Sequence, residues 1–354
     1  MPTSVQGLPL HTRALSVMMS PEADGRWLAR GDVMDLRKNG FVAATYDLQP
    51  AGVIHSMSIE LDLDPRALVI EAIRVEQPFV AVEASPETSG ECCRDPAPRL
   101  QTLVGEKLDA EFTRRLTAAF GGPLGCSHLL TLFQLMASTI PRAARLEHAR
   151  AEREGTHPQT RERFFRRSLF LDGYARRDEP LIDVSIQLAD SHTRPIDAKD
   201  PVLQRLASSH QIKVLAEVDR KRFSVQALTA RERERTPETL GHAEWLDHDA
   251  LVSPLVGVPL IPGMAGRVFE LLGQRSEQAL LRDVLLQMAP GFIQVTAALT
   301  DDYYEERARK GADETDSGPA VANLGGRQNA CYIWREDGAI LRSWARRAEQ
   351  RSTS

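Results

Sequence analysis

The densest chemistry in the chain is the run Gly121-Gly122-Pro123-Leu124-Gly125-Cys126-Ser127-His128. A glycine-rich turn there delivers a thiol, a hydroxyl and an imidazole to the start of an apolar helix. The unpaired N–H groups and dipole at such a start lower a thiol pKa or hold an anion, and Ser127 is suited to cap it. Beyond His128, the residues Leu129, Leu130, Leu132, Phe133, Leu135 and Met136 leave the helix almost no polar face. Its polar leading edge is therefore expected at a cavity or an interface. The alternative is a buried structural cysteine beside a capping histidine.

Strand parity places a second pair. His55 shares the parity of Met57, Ile59, Leu61 and Leu63, and Asp35 that of Val33 and Trp27, so both aim at an apolar layer. A lone buried carboxylate is costly. If the two meet, the carboxylate fixes the imidazole's tautomer and raises its basicity, which makes a general acid/base pair. A satisfied structural pair, or two groups on a wet sheet rim, are the alternatives.

Metal binding is the competing chemistry. Cys93 or its neighbour Cys92, with Cys126, His128 and His55, supplies enough soft ligands for zinc. No Cys-x-x-Cys pair, His-Glu-x-x-His helix or glutamate-rich helix supports it, so the expectation is no metal and no cofactor. The stretch from His242 to His248 reads as a polar surface loop. Phosphate-cradling glycine loops and a Gly-x-Ser-x-Gly elbow are absent from the sequence.

The elements that must position these groups come as an internal repeat. Residues 24–73 lie over 179–228 without a gap, pairing Asp35 with Asp190, His55 with His210 and Asp64 with Asp219. The alternation agrees in phase: Met57, Ile59, Leu61 and Leu63 meet Ile212, Val214, Ala216 and Val218. A second block, 103–137 over 255–289, shares Leu-Val-Gly at 103–105 and 255–257 and Met-Ala at 136–137 and 288–289. At the Cys–His motif copy two carries Gln278, Ala279 and Leu280, as expected of one working and one structural half.

Each copy reads as a strand beginning near Arg13 or Arg167, a second strand (less clean at 27–33), and a hairpin across an Asp turn. A helix with Leu108, Phe112 and Leu116 follows, stopped at Gly121-Gly122, then a second helix over 127–138. Antiparallel strands followed by helices predict an α+β fold, two related antiparallel-sheet-plus-helices domains arranged as an internal pseudo-dimer. The organisation is an N-terminal copy at 1–140, an Arg-rich linker or helix at 141–166, a degenerate copy at 167–300, and a C-terminal loop and strands at 301–354. In that last part, 312–326 reads as a loop, and 330–334 and 339–344 as strands.

Length and charge set the outer bounds. The 354 residues carry 42% apolar and 26% charged side chains and a net charge of −5, which suits a globular chain of about two domains. There is no basic footprint for nucleic acid. The eight arginines against four glutamates of 141–167 read as a solvated helix and linker. The four cysteines include an adjacent pair, which argues against a disulfide framework. Without an apolar leader or an unbroken apolar span, the expectation is a soluble, cytoplasmic protein.

Three motifs in order carry a resemblance. Asp24-Gly25-Arg26-Trp27, then Gly52-Val53-Ile54-His55-Ser56-Met57, then Gly121 to Leu129 with Leu103-Val104-Gly105 before it, resemble the bacterial family called domain of unknown function 2889. Ser127 stands where that family has threonine, keeping the hydroxyl. The resemblance covers residues 11–140, and Asn329-Ala330-Cys331-Tyr332 looks like the family's tail. It implies no settled activity, an association with bacterial breakdown of aromatic compounds, and His55, Cys126 and His128 as the positions to test.

Together these readings predict a cofactor-independent lyase, of decarboxylase or elimination type, acting on an aromatic or apolar carboxylate. His55 oriented by Asp35 moves the proton, and His128 with the helix start receives the developing anion. A hydrolase using Cys126 or zinc, and a non-catalytic ligand-binding or assembly protein, are the alternatives. The expected partner is a small-molecule substrate, with neither nucleic acid nor membrane; homo-oligomer formation stays open.

Overall fold

The computed structural model describes residues 5–44, 47–195, 202–273, 275–309 and 328–352; the loop expected over 312–326 lies outside them. In the first copy the strands are β1 Leu8–Pro21, β2 Trp27–Arg37, the short β3 Val42–Ala44 and β4 Asp47–Gln49, β5 Gly52–Leu63 and β6 Ile70–Phe79. Helices α1 Phe112–Phe120 and α2 Ser127–Glu154 follow. The second copy has β7 Phe165–Ala175, β8 Leu181–Thr193, β9 Leu206–Asp219, β10 Val225–Arg235 and β11 Leu246–Asp247. It continues through α3 Asp249–Val252, α4 Met264–Leu272, α5 Ala279–Leu286 and α6 Met288–Ala297, with α7 Thr300–Arg309 beyond.

The fold is α+β, and the two copies share one sheet. Nine antiparallel strands run in the order β11-β10-β9-β8-β7-β1-β2-β5-β6, so the halves join edge to edge through β1 and β7. Strict alternation explains the burial. On β1, Leu15, Val17 and Met19 are buried beneath the helices, while Ala14, Ser16 and Met18 between them are half-buried. Strand β2, which looked less clean in sequence, alternates along its whole length. Its buried positions include Gly31, Asp35 and Arg37, which hide the apolar pattern.

The repeat extends to backbone detail. After β5 the Asp64 carboxylate accepts the Arg66 and Ala67 N–H groups, and after β9 Asp219 accepts those of Lys221 and Arg222. Each turn then forces a non-glycine residue to positive φ, Leu68 at 55° and Phe223 at 54°.

Close approach sets the helices on the sheet. A Cβ at Gly31 would lie 2.5 Å from Met136 Sδ, and one at Gly173 would lie 2.4 Å from Val295 Cγ1. The missing side chains let α2 and α6 settle onto β2 and β7. Helix α2 runs 28 residues, about 42 Å at 1.5 Å per residue, well past the expected end at 138 and through Pro141. An interior proline costs about 3 kcal/mol, but the flanking Thr139, Ile140, Ala143 and Ala144 are all buried, and packing outweighs local propensity. The helix stops at Gly155, in the left-handed region at φ 65°. It therefore crosses the 140/141 boundary and takes in the first half of the expected linker.

The C-terminal strands expected at 330–334 and 339–344 are instead a 3₁₀ turn, Tyr332–Trp334, and a helix, Ala339–Ser352. Such short runs do not separate strand from helix by period. Here the Tyr332 N–H donates to the Gly125 carbonyl at 2.8 Å, tying this segment to the start of α2 rather than to the sheet. No helix among the described residues is long and apolar enough to cross a membrane.

Candidate active site

Strand register assembles the site. Arg13 pairs with Asp35 across β1 and β2, and Asp35 with His55 across β2 and β5. Three chemically active side chains thus stand in a row on the helix-covered face, at the 4.5–5.5 Å typical of cross-strand neighbours. His11 and Arg37 lie two residues from Arg13 and Asp35 on the same face, and all five are buried. Helix α2 begins above this row. Cys126, not Ser127, takes the N-cap position, with extended backbone and no side-chain cap. His128 and Thr131, one turn apart, reach down to the strands.

Asp35 is the hub. Its Oδ1 lies 3.1 Å from His11 Nε2, and its Oδ2 lies 3.3 Å from Arg13 Nη1, 3.3 Å from His128 Nε2 and 3.6 Å from His55 Nδ1. Arg13 Nη2 donates to Thr131 Oγ1 at 2.7 Å, which holds the guanidinium edge toward the helix. The His55 and His128 rings lie against each other, centroids 3.7 Å apart and planes tilted by 30°. At 3.6 Å the His55–Asp35 contact is too long for a good hydrogen bond, and His55 Nδ1 is buried with no hydrogen-bond partner. Ligand atoms of Asp35, His55 and His128 all fall within 4.8 Å of one another, a set able to hold a metal ion.

Burial alone would raise the Asp35 carboxyl, but Arg13 and the surrounding imidazoles hold it well below the usual carboxylate range. Burial, and after it the adjacent His55, pushes His128 well below an ordinary histidine. Burial lowers His11 as well. The site is thus an ionised carboxylate set against neutral imidazoles at His11 and His128.

The structure brings together all four residues singled out in sequence, with the thiol in a different posture from the rest. Cys126 Sγ lies 3.9 Å from His128 Nδ1, the ring nitrogen turned away from Asp35, and 4.0 Å from Met57 Sδ. Burial pushes its pKa up to about 12, and burial also raises Cys93 well above an ordinary thiol. Among the described residues neither cysteine joins the ligand group, and Asp35 stands in the place given to them. His248 bonds Glu232 at 2.7 Å, away from this centre. Sequence reasoning missed His11, Arg13, Thr131, Arg37 and Gln294. For His11, Arg13 and Arg37 the signal was present: each shares the buried parity of its strand.

The centre opens on a cleft of about 1740 Å³ lined by both copies, with Ile54, Leu135, Phe223, Ile261, Ile293 and Trp334 among its walls. Gln294, on α6 of the second copy, places its amide nitrogen 3.2 Å from His128 Nε2. Arg37 also lines the cleft. Among the described residues its guanidinium bonds only neutral oxygens, the Gln49 carbonyl at 2.7 Å and the Gln49 amide at 3.4 Å, and its Nε is buried without a partner. Burial lowers Arg37 to about 10, and Asp301 acts on it only from beyond ion-pair distance.

The second copy fills the same positions differently. Asp190 accepts from Arg167 Nε at 2.7 Å and Nη2 at 2.8 Å, and from Arg142 Nε at 3.1 Å. Arg142 Nη2 lies 3.2 Å from His210 Nδ1. Arg167 also reaches Asp283 at 2.7 Å, where its counterpart Arg13 reaches Thr131. Arginines satisfy this carboxylate, with no second imidazole beside it among the described residues.

One family matches the chain, described as Protein of unknown function (DUF2889), over residues 11–142 and again over 165–294. The second match stops short of Asn329–Tyr332, so that segment is not part of it. No curated protein and no solved structure matches. The two matched segments take in both halves of the sheet, helix α2 as far as Arg142, and α6 as far as Gln294. With most of its length matched in two copies, the chain belongs to the DUF2889 family as a tandem repeat.

Proposed function

We propose that the chain is a lyase that eliminates a leaving group from a small aromatic or otherwise apolar carboxylate, chemistry in keeping with the breakdown of aromatic compounds. The observation that carries this reading is the placement of Arg37 and Asp35. They lie two residues apart on one buried face of β2, about 6–7 Å along the strand. One is a cation without a carboxylate partner among the described residues, and the other is the hub of the imidazole centre. A small carboxylate fits between them, its carboxylate on Arg37 and the carbon beside that carboxylate at the centre. The apolar walls fit the rest of such a substrate.

In the reaction, His55, beside Asp35, takes a proton from the carbon beside the carboxylate. The electron pair released forms the new carbon–carbon double bond and expels the leaving group. The Arg37 guanidinium on the substrate carboxylate stabilises the enolate-like anion as it develops. Elimination suits this arrangement better than decarboxylation, because a guanidinium holds a carboxylate in its ionised ground state and opposes its loss as carbon dioxide. The buried thiol, facing the far side of His128, gives a cysteine hydrolase little support.

The test pairs two near-isosteric variants against a panel of arylcarboxylates. Arg37→Met is expected to weaken carboxylate binding at least tenfold by calorimetry. Asp35→Asn is expected to bind within a few-fold of wild type but to lose turnover. Binding without turnover by the wild-type chain would make it a binding module, and full turnover in Asp35→Asn would remove the centre from the chemistry.

A further inference from the structure

The geometry points to a divalent transition-metal site formed by Asp35 Oδ2, His55 Nδ1 and His128 Nε2. Ligand atoms about 2.0–2.1 Å from a tetrahedral ion stand about 3.4 Å apart. The two nitrogens lie 3.6 and 3.3 Å from the shared oxygen. Two imidazoles and one carboxylate are a donor set suited to Zn²⁺, Fe²⁺, Co²⁺ or Mn²⁺.

A second observation points the same way. His55 is 4% exposed, and its Nδ1 has no hydrogen-bond partner. A buried orphan nitrogen is costly unless a water or an ion takes it. The remaining carboxylate oxygen, Oδ1, is held by His11 at 3.1 Å, the kind of outer contact that fixes a ligating carboxylate. Arg13 Nη1, 3.3 Å from Oδ2, is the one cation at this oxygen among the described residues, and its other arm is tied to Thr131.

The repeat supplies an internal comparison. In copy two the pair equivalent to Asp35 Oδ2 and His55 Nδ1 is Asp190 Oδ2 and His210 Nδ1, and the Arg142 guanidinium bridges them at 3.1 and 3.2 Å. Copy two thus places a protein cation between carboxylate and imidazole. The matched segments end at 142 and 294, so the residue in Arg142's position that faces copy one is Gln294, which brings an amide and no charge. Copy one keeps the carboxylate, adds His128 where copy two has Leu280, and has a neutral group in place of the second arginine. These are the changes that convert a guanidinium seat into a metal seat.

With Asp35 and Arg13 cancelling, a bound dication leaves two positive charges, which hydroxide and a substrate carboxylate would balance. The inference deepens the preceding reading, because metal-bound hydroxide would take the proton in place of His55, becoming water, and the ion would carry the developing charge. Its test does not use turnover, so either can fail alone. The chelator-treated 354-residue chain is titrated with Co²⁺ and Zn²⁺ and followed by electronic spectra and calorimetry. One equivalent should bind, giving a cobalt spectrum without a thiolate charge-transfer band. His55→Gln and His128→Gln, each checked for fold by circular dichroism, should bind at least about a hundredfold more weakly. The double change Cys93→Ala with Cys126→Ala should leave binding within a few-fold. Failure of the wild-type chain to bind either ion tighter than millimolar would overturn the proposal. So would a thiolate band, or unchanged affinity in both folded histidine variants.

Discussion

Leu15 on β1 pairs with Leu169 on β7, and the two are each other's counterpart in the repeat. The pseudo-two-fold axis therefore passes through this pair, and the copies are halves of one sheet rather than neighbouring domains. A chain ended after residue 160 would leave β1 with an unpaired edge from Leu8 to Met19. Such an edge seeks another strand. The expected product is a homodimer pairing β1 with β1 about Leu15, or an aggregate, and light scattering that finds a stable monomer would refute the shared-sheet argument. The product would also lack Gln294.

Arg142 and Gln294 reach across that axis in opposite directions, Arg142 to the Asp190–His210 pair and Gln294 to His128 beside Asp35. Exchanging their chemistry separates stability from function. Arg142→Gln leaves Asp190 with Arg167 alone and is expected to cost about 1–3 kcal/mol, read as a lower melting temperature. Gln294→Arg brings a guanidinium to His128 and Asp35 in copy one. It should hold the melting temperature within a few degrees while abolishing Co²⁺ binding and turnover together. Tight cobalt binding in folded Gln294→Arg would show that the two copies are not comparable at this position.

What the sequence disclosed follows from which patterns survive without partners. Period-two alternation, and a repeat that matched Asp35 with Asp190 and His55 with His210, located the strands and the face of the site. The polar edge of an apolar helix located His128. Arg13 and His11 carried the same parity signal as Leu15, yet a charge on a buried face looks like a strand end until its partner strand is known. Gln294 had no signal of its own, because its role depends on α6 crossing the axis. The end of α2 was misplaced since Pro141 is a local stop that tertiary packing overrides. The C-terminal runs were too short for their period to decide helix or strand.

Cys126 gives a sharp negative expectation. It is 6% exposed and faces the outer nitrogen of His128, a position that favours packing over attack or ligation. Cys126→Ala should retain turnover within about tenfold, with a modest loss of stability from the small cavity left behind. In native protein, iodoacetamide should label the half-buried Cys92 well before Cys126, as read by mass spectrometry of the peptides. Rapid labelling of Cys126 with loss of turnover would restore the nucleophile reading.

The last expectation concerns the far end of α2 and the acid limit of the fold. Glu147 and Arg150 are buried together, with Arg150 Nη2 2.6 Å and His192 Nε2 2.9 Å from the Glu147 carboxylate. Burial raises the Glu147 carboxyl, but the bonds from His192 and Arg150 outweigh it and bring the pKa below the ordinary value. A depressed folded-state value means that the unfolded chain binds the proton more readily. The stabilisation is therefore complete above the unfolded glutamate value and drains away as pH falls through the lower folded value. Glu147→Gln removes one partner of a buried pair, at a cost of about 3–5 kcal/mol near neutrality. Measured by denaturant melts, the gap between wild type and variant should narrow steadily on acidification below the ordinary glutamate range. A gap that stays constant or widens on acidification would mean that the carboxylate's charge contributes nothing to anchoring α2 against β8.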